Sequence, residues 1–464
     1  MTSLGMMTAI VPQVQGCSKK SADSKLPAQT AERPNIVVIM ADDLASHEIG
    51  CYGGKNIATP NIDRIAREGV RFTNCFASCT MSVPIRASMY TGLYPARHGV
   101  YQNHKSSYPH IKSITHYLPE AGYRVWRTGK THTTPRAVYQ FEDIAGFEPN
   151  CVKQTADYTT DTLRKYILNE KQPFCLFVCS TLPHAPWTVG NPSDIDPDKL
   201  ILPPHLIDSK PFRNIYRKYL AEVKVLDEQV GAVLKMLEET GRLDNTLIMF
   251  LGEQGAQFPG GKWTCWDYGQ SSALIVRYPQ QIKAGTTSQA IVQYEDILPT
   301  LVEFAGGKPI KDIDGQSFLP AVFGKEKEHR QWAYGIHNNI PEGTAYPVRS
   351  IRDKRYKLII NLTPEAAYFE KHLMNVNNPV GVWKTWLESA KTDAHAQAMI
   401  ERYVHRPAIE FYDVQTDPWE LNNLASDKQY AKRIADMEQQ LKTWMLQQGD
   451  TGAAMDVEFV NNAN

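Results

Sequence analysis

Continuous apolar runs recur along the first part of the chain, separated by amphipathic segments. The run Asn35–Met40 (NIVVIM) is rich in β-branched residues and has no alternating polar position, which is the pattern of a strand buried on both faces. Similar runs occupy residues 175–179, 246–251 and 274–276. Each run predicts a buried β-strand.

Helical patterns separate these runs. Residues 61–69 (NIDRIAREG) end in a glycine, the residue that most often closes a helix. Residues 216–240 repeat apolar side chains at helical spacing, and Gly241 follows as a stop signal. The apolar positions of this second helix are Val223, Leu226, Val230, Val233, Leu234 and Leu237. Strands that alternate with helices predict an α/β fold, a mostly parallel sheet between helices that binds ligands at the carboxyl ends of its strands.

The pattern changes after about residue 325. Short strand-like segments at residues 348–351, 356–360 and 411–414 precede one clear helix, which Ser426 or Asp427 is placed to cap. The apolar stripe of that helix consists of Ile434, Met437, Leu441 and Trp444. The sequence therefore predicts three parts: a leader-like segment and tether at 1–33, a principal domain at 34–325, and a smaller α+β domain at 326–464.

Composition narrows the class of protein. The chain has 464 residues, of which 42% are hydrophobic and 22% charged, which is typical of a soluble globular protein and excludes a disordered or fibrous chain. The 50 basic and 50 acidic residues balance, so the chain lacks the basic excess of a nucleic-acid binder and we expect no nucleic-acid partner. No run of 18 apolar residues is present, which excludes a membrane-spanning helix.

The first residues are similar to a bacterial lipoprotein leader. A mildly apolar stretch leads to Gly16-Cys17, and a polar stretch follows as far as Pro34. The stretch departs from the usual leader because no Lys or Arg precedes Lys19 and Pro12 interrupts it. We expect an exported protein, periplasmic or anchored to a membrane by a lipid on Cys17. The alternative is a cytoplasmic protein with a frayed N-terminus.

The eight cysteines include one close pair, Cys75 and Cys79. Their spacing is compatible with half of a metal site, but no second pair follows along the chain. The absence of a second pair favours buried or free thiols over a metal site.

Two segments carry residues suited to chemistry. Asp42 and Asp43 directly follow the first predicted strand, where they form either a solvated strand end or a pair of oxygen ligands for a hard divalent cation. Ser82 begins a predicted helix whose first turn contains Pro84, and Arg86 projects from nearly the same face. A helix N-terminus with a nearby arginine favours an anion, although an ordinary capped helix with a surface arginine has the same pattern.

Residues 82–92 have the form S-x-P-x-R-x4-T-G, which resembles the signature of the sulfatase family, in which the first Ser or Cys is oxidised to formylglycine. Further family-like segments follow one another in order over residues 34–445. They are CYG at 51–53, TPNID at 59–63, EGVRF at 68–72, AGY at 121–123, GKTH at 129–132, PHAP at 183–186, DILPT at 296–300, DG at 314–315, DP at 417–418 and NL at 423–424. The C-terminal half is most similar to heparan N-sulfatase (sulfamidase), through FPGGK at 258–262, YPVRS at 346–350 and FYD at 411–413.

The resemblance implies an alkaline-phosphatase-like fold and a complete set of site residues. It implies a Ca²⁺ ion held by Asp42, Asp43, Ser82, Glu253 and Gln254. It also implies that Ser82 is converted to formylglycine by a serine-type maturase, and that the hydrate attacks sulfur and later expels sulfate. Arg86, Lys130 and Lys262 would neutralise the sulfate. His132 would be the base that triggers elimination, and His184 the acid for the leaving atom.

One segment departs from the family. Sulfatases usually carry Asp followed by Asn or His at the second metal segment, whereas this chain has Glu253-Gln254. Compared with Asp and Asn, Glu253 and Gln254 carry the same ligating groups on side chains that are one methylene longer. Because Ca²⁺ tolerates irregular geometry, we expect the site to survive with a shifted backbone; weaker metal binding or a non-catalytic relative is the alternative.

These observations lead to one principal hypothesis, an exported hydrolase that removes sulfate from a saccharide by cleaving an O-sulfate ester or N-sulfoglucosamine. We expect His337, Asn338, Asn339 and Arg349 to reach the pocket rim and contact the sugar. Trp263 and Trp266 are either stacking faces for that sugar or core residues. The alternatives are a two-zinc phosphate-ester hydrolase of the alkaline-phosphatase superfamily and a non-catalytic protein that binds sulfated glycans.

Overall fold

The computed structural model describes residues 1–2, 33–153 and 155–458. Cys17, the predicted site of a lipid, lies outside these residues. Contacts divide the chain into residues 1–33 and a second unit that begins at Pro34, to which all elements below belong. Within the described part of the chain, no helix combines the length and apolar character needed to cross a bilayer.

A large sheet forms the centre of the second unit. Its strands are β1 (Asn35–Met40), β2 (Val70–Phe76), β3 (Arg124–Gly129), β4 (Glu142–Asp143), β5 (Phe174–Cys179), β6 (Thr246–Leu251), β7 (Ser271–Arg277) and β8 (Thr286–Gln293). They lie in the order β4-β3-β5-β1-β6-β7-β2-β8, and every pair is parallel except the two that β7 forms with β6 and β2. The predicted buried strands are therefore present, and the predicted α/β fold class with a mostly parallel sheet between helices is confirmed.

Helices cover both faces of this sheet. Along β1, Val37 and Ile39 belong to one hydrophobic core, whereas Ile36 and Val38 belong to another, because alternate side chains of a strand point to opposite faces. The helices of the unit are α1 (Pro60–Arg67), α2 (Ser82–Thr91), α3 (Pro95–His98), α4 (Ile114–Glu120), α5 (Asp161–Asn169), α6 (Lys210–Glu239), α7 (Asp267–Gln270), α8 (Ile297–Phe304), α9 (Leu319–Val322), α10 (Lys371–Met374), α11 (Val382–Ser389), α12 (Ala394–Val404) and α13 (Ala431–Gln448).

Two of these helices differ in detail from the sequence prediction. The helix α6 begins earlier than expected because the Ser209 hydroxyl accepts a hydrogen bond from the backbone N–H of Phe212, and Gly241 follows it with a φ of 67°. The glycine after α1 has a different role from the one predicted, since Glu68 caps that helix. A Cβ at Gly69 would lie 2.2 Å from the carbonyl oxygen of Val276, so this glycine permits close packing against β7.

A second, smaller sheet follows in the chain. Its strands are β9 (Ala333–His337), β10 (Val348–Arg352), β11 (Tyr356–Asn361) and β12 (Ile409–Asp413), all antiparallel in the order β12-β11-β10-β9. The helix α13 packs on β10 and β11 with its predicted apolar stripe buried. Asp427 caps the 3₁₀ turn that leads into α13. The proposed boundary at 325/326 falls between α9 and β9 and stays a prediction.

Cys75 and Cys79 are both buried, at 0% and 1% exposure, in the two different hydrophobic cores. The two thiols therefore face opposite sides of the sheet. Their positions support the interpretation as core residues and not as half of a metal site.

Candidate active site

The residues predicted for chemistry meet at one end of the large sheet. The strands β3, β5, β1 and β6 are neighbours and run in parallel, so their carboxyl ends lie side by side. Lys130 follows β3, His184 follows β5, Asp42 and Asp43 follow β1, and Glu253 follows β6. This is the edge at which α/β sheets bind ligands.

Three buried carboxylates and an amide form the floor of the site. Asp42, Asp43, Glu253 and Gln254 are completely buried. Carboxylate oxygens of the three acids lie within 4.8 Å of one another. The amide nitrogen of Gln254 donates to Asp43 Oδ1 at 2.6 Å and to Glu253 Oε2 at 3.2 Å. Burial raises the pKa of Glu253, and the charge of Arg86 opposes this effect.

Ser82 places a hydroxyl directly above this floor. It is the first residue of α2, and its Oγ donates to Glu253 Oε2 at 3.1 Å or Asp42 Oδ1 at 3.3 Å. The ammonium of Lys130 donates to the same Oγ at 3.1 Å. Because the positive end of the α2 dipole lies at this residue, an anion bound here is stabilised further.

The three basic residues pair one to one with the three acids. Lys130 Nζ lies 2.7 and 2.6 Å from the two carboxylate oxygens of Asp42. Lys262 Nζ lies 2.8 Å from Asp43 Oδ2, and Arg86 Nε lies 2.6 Å from Glu253 Oε1.

Nη1 of the buried Arg86 guanidinium has no hydrogen-bond partner among the described residues. Burial acts to lower the pKa of Lys262, but the charges of Asp43, Asp42 and Glu253 together outweigh it, so the pKa is raised. Lys262 therefore stays charged at neutral pH.

Both predicted catalytic histidines lie at the opening of the site. Burial and the charges of Lys130 and Arg86 hold the pKa of His132 far below its usual value. Burial, followed by the charge of Lys262, lowers the pKa of His184 to about 3. His184 Nδ1 lies 2.6 Å from the carbonyl oxygen of Ala185, which accepts its hydrogen and leaves Nε2 3.7 Å from Asp43 Oδ2. Both imidazoles are therefore neutral at neutral pH.

A cavity of about 320 Å³ opens onto this site, and Ser82, His132, His184 and Lys262 line it. The lining also contains residues that the sequence did not single out: Asn103, His104, Cys151, Glu342 and His372. They come from loops and from the short helix α10, which carry no hydrophobic periodicity, and no motif named them.

The floor of the site fits a hard divalent cation. Ca²⁺ prefers several oxygen ligands, and Asp42, Asp43 and Glu253 supply carboxylate oxygens close together. Oε1 of Gln254 is buried and has no partner among the described residues, so it is an oxygen acceptor without a donor. A buried acceptor without a donor costs the protein free energy unless a ligand provides the missing partner.

The residues predicted to read the sugar are not at the cavity. Arg349 is fully buried, and its guanidinium binds both carboxylate oxygens of Asp450, at 2.5 and 2.8 Å. Arg349 also donates to Asn338 Oδ1 at 3.1 Å, and the buried His337 contacts Asn339 at 3.3 Å. None of these four predicted residues lines the cavity. The expectation that they contact the sugar is corrected: all four are buried and make their hydrogen bonds with the second sheet and the segments beside it, and only His337 Nδ1 among the side-chain nitrogen and oxygen atoms of these four has no partner in the described part of the chain.

The two tryptophans have different surroundings. Trp263 lines the cavity, and its ring stacks on the imidazole of His372 at a centroid distance of 5.8 Å. Trp266 is a core residue, because its indole N–H donates to Glu410 at 2.8 Å and the guanidinium of Arg402 lies 4.2 Å from its ring.

Comparison with known proteins yields consistent matches. The sequence model of the family described as Sulfatase matches residues 34–307, and the model described as N-sulphoglucosamine sulphohydrolase, C-terminal, matches residues 262–378. The chain is 34% identical to an ulvan-active sulfatase of Formosa agariphila, over 93% of this chain and 84% of that protein. It is 27% identical to the human N-sulphoglucosamine sulphohydrolase, over 90% of each chain.

A solved structure also resembles the fold. It is a complex of a protein with its substrate D-glucosamine-2-N,6-O-disulfate, at a TM-score of 0.69 and 24% identity, covering 90% of this chain and 99% of that one. The predicted likeness of the C-terminal half to heparan N-sulfatase is confirmed by the second family match.

Proposed function

We propose a specific reaction for this chain, which belongs to the sulfatase family: release of sulfate from a sulfated saccharide through a formylglycine at position 82 and one divalent cation. The observation that carries the proposal is the position of the Ser82 hydroxyl, in contact with Asp42, Glu253 and Lys130 on the floor of the cavity.

The charges of the site explain why a cation and an anion would bind together. The three acids and the three bases neutralise each other in pairs. A divalent cation on the acids therefore leaves the site two positive charges in excess. That excess favours an anionic ester inside a region of low dielectric, where charge interactions are strong.

A divalent cation and a modified residue would supply the central chemistry. A Ca²⁺ ion held by Asp42, Asp43, Glu253 and Gln254, next to residue 82, would polarise a sulfate oxygen. Formylglycine, made from Ser82 by a serine-type maturase, would supply a hydrate with a second hydroxyl that lets sulfate leave by elimination.

The side chains of the protein have their own roles in this proposal. Lys130, Lys262 and Arg86 bind sulfate oxygens and offset the charge that develops on them. His132 is neutral in the free site, and it would take a proton from the group at position 82 once bound sulfate offsets the positive charges that lower its pKa. His184, which lines the cavity, would donate a proton from Nε2 to the leaving oxygen or nitrogen once the anionic substrate favours its protonated form.

The proposed class of saccharide rests on the names of two similar proteins. One relative is named an ulvan-active sulfatase and another an N-sulphoglucosamine sulphohydrolase. We propose that this chain also acts on a sulfated glycan, through an O-sulfate ester or an N-sulfoglucosamine. An exported, periplasmic location with a lipid on Cys17 remains part of the proposal, and it fits a glycan substrate from outside the cell.

The proposal is tested in two steps. The protein is expressed with a serine-type maturase, and mass spectrometry of the peptide containing Ser82 should show the loss of two hydrogens. The verified material is then assayed for sulfate release from N-sulfated glucosamine and O-sulfated hexoses. Release from none of them, together with tight binding of the same sugars, would favour the non-catalytic binder.

One observation favours a second candidate, a two-metal phosphate-ester hydrolase. Asp42, Cys151 and His184 place ligand atoms within 4.8 Å of one another, and zinc favours this ligand set. However, the ammonium of Lys130 lies 2.6 Å from Asp42 and opposes a second cation there. Zinc-dependent turnover of phosphate esters that greatly exceeds sulfate release would establish this candidate instead.

A further inference from the structure

Four of the polar side chains that line the cavity without a part in the chemistry proposed above form a cluster: Asn103, His104, Glu342 and His372. Asn103 and His104 lie in the loop after α3, Glu342 in the loop after β9, and His372 in α10. They meet around one carboxylate, that of Glu342.

Glu342 has only 1% of its side chain exposed, and both of its oxygens are occupied. Asn103 Nδ2 donates to Oε1 at 2.5 Å, and His104 Nε2 lies 3.3 Å from the same oxygen. His372 Nε2 lies 2.5 Å from Oε2. Burial acts to raise the pKa of Glu342, but hydrogen bonds from His104 and His372 outweigh it and hold the pKa below its usual range. Glu342 is therefore a fixed anion that orients its neighbours.

The cluster adjoins the sulfate site on two sides. The ring of His104 meets the ring of His132 edge to face at a centroid distance of 6.1 Å. The ring of His372 stacks on Trp263 at 5.8 Å, and the ammonium of Lys262 lies 5.0 Å from the same indole ring. A sulfate bound at Lys262 and His132 would thus hold its attached group beside His104 and His372.

The carboxylate fixes which hydrogen-bonding groups face that attached group. A carboxylate only accepts, so Nε2 of His372 carries the hydrogen that it shares with Glu342, whereas Nε2 of His104 lies 3.3 Å from both Glu342 Oε1 and the amide nitrogen of Asn103. The side chains of His104 and His372 are about half exposed, at 54% and 46%, so both rings can form hydrogen bonds with a ligand in the cavity. Oδ1 of Asn103, a residue only 7% exposed, has no partner among the described residues. One buried acceptor without a donor, beside two half-exposed imidazoles, favours a ligand that brings several hydroxyl groups.

A metal ion is a weaker explanation for the same cluster. Glu342, Glu370 and His372 have ligand atoms within 4.8 Å of one another. However, the carboxylate of Glu370 caps α10, because its two oxygens accept from the backbone N–H groups of His372 and Leu373 at 2.8 Å each. Glu370 is therefore engaged in the fold and is not available as a ligand.

We propose that Asn103, His104 and His372, oriented by Glu342, form the subsite for the sugar ring that carries the sulfate and make hydrogen bonds with its hydroxyl groups. This inference rests on the proposed function. The cavity, at about 320 Å³, lies at the lower end of the range of about 300–1,000 Å³ for small-molecule sites. This size suits one sulfated ring better than a glycan chain, which favours a terminal residue as the substrate.

Binding measurements on a catalytically inactive variant distinguish contacts with the sugar subsite from contacts with the sulfate site. In S82A protein, titration calorimetry measures the affinity for inorganic sulfate, N-sulfoglucosamine and glucose 6-sulfate. Adding His372→Ala or Asn103→Ala should weaken binding of at least one sulfated sugar by about tenfold or more, as expected for lost hydrogen bonds to substrate hydroxyls. The affinity for inorganic sulfate should stay the same. His395→Ala, an exposed histidine on α12, is the matched control.

Other results would overturn the subsite. If sulfate and the sulfated sugars weaken together, these residues support the sulfate site or the fold; if neither weakens, they do not contact the sugar. If the variants lose much more affinity for a disulfated than for a monosulfated glucosamine, the cluster binds a second anionic group. Failure of the proposed function gives a different result, namely no sulfate release from any substrate by matured wild-type protein.

Glu342 is a positioning residue in this proposal, and kinetics test its role. In matured enzyme, Glu342→Gln should raise KM for the sulfated sugar and leave kcat nearly unchanged, because only the orientation of the two imidazoles is lost. A fall in kcat with unchanged KM would contradict it.

Discussion

Asp43 and Glu253 both adopt a left-handed backbone conformation, with φ angles of 62° and 63°, just beyond the paired parallel strands β1 and β6. Side chains with a Cβ avoid this region, and each such residue costs about 1–3 kcal/mol. The fold accepts that cost where it directs two buried carboxylates to one point. His104, His132 and Trp263, which line the same cavity, also have positive φ. Backbone strain is thus concentrated at the cavity.

The first prediction concerns the cation. Glu253→Gln should raise the Ca²⁺ concentration that stabilises the protein by about tenfold or more, because a ligand that binds only the folded state stabilises it in proportion to its affinity. It should also destabilise the metal-free protein, since the buried Arg86 loses its charged partner. Thermal unfolding across a Ca²⁺ titration measures both effects.

The control for that experiment is Glu238→Gln, which removes a carboxylate from a partly exposed ion pair with Arg64. It should leave the Ca²⁺ dependence unchanged. An unaltered Ca²⁺ response in Glu253→Gln would place the cation elsewhere in the protein.

The second prediction concerns the nucleophile. Ser82→Ala should abolish sulfate release and change the free energy of unfolding by only about 1 kcal/mol, the usual worth of a lost hydroxyl hydrogen bond. Sulfate-release assays and chemical denaturation measure the two quantities. Turnover that persists in protein free of wild-type enzyme would assign the nucleophile to another residue.

The third prediction tests the corrected role of Arg349. Arg349→Met leaves the carboxylate of Asp450 buried without its partner, which should lower the free energy of unfolding by about 3–5 kcal/mol. The kcat/KM of the folded enzyme should not change, because Arg349 does not line the cavity. Replacing both residues, in Arg349→Met with Asp450→Leu, should cost less than the single change. A raised KM with unchanged stability would restore the role in sugar binding.

The sequence predicted the features of the site that depend on the buried strands. Apolar runs placed β1, β5 and β6, and parallel strands bring together whatever follows their carboxyl ends, so Asp42 could be placed at the ligand-binding edge from the pattern alone, whereas Lys130 and His184 were placed by the family resemblance.

The sequence could not predict pairings between distant loops. Glu342 meets Asn103 across 239 positions and Arg349 meets Asp450 across 101, and no periodicity records either contact. The sequence pattern around an arginine on a strand is the same whether its side chain faces a ligand or a buried acid. For that reason Arg349 was assigned to the sugar and the Glu342 cluster was missed.

The last prediction concerns pH. Glu222, buried in α6, accepts hydrogen bonds from the backbone N–H groups of Thr188 and Val189, at 2.7 and 3.0 Å, and so holds the loop that follows His184. Burial raises the pKa of Glu222 from 4.5 to about 8. The folded protein therefore keeps a proton on Glu222 that the unfolded chain releases near pH 4.5. Its stability should fall as the pH rises from about 4.5 to about 8.

Glu222→Gln removes this titration while keeping an acceptor for the two N–H groups. The free energy of unfolding of the variant, relative to wild type, should increase from pH 5 to pH 9, so that the variant is the more stable protein at alkaline pH. Denaturation at several pH values measures this difference, with Glu238→Gln as the control for a partly exposed carboxylate. A difference that stays constant across this range would show that Glu222 is ionised in the folded protein, because only a proton bound to the native state makes the two proteins diverge as the pH rises.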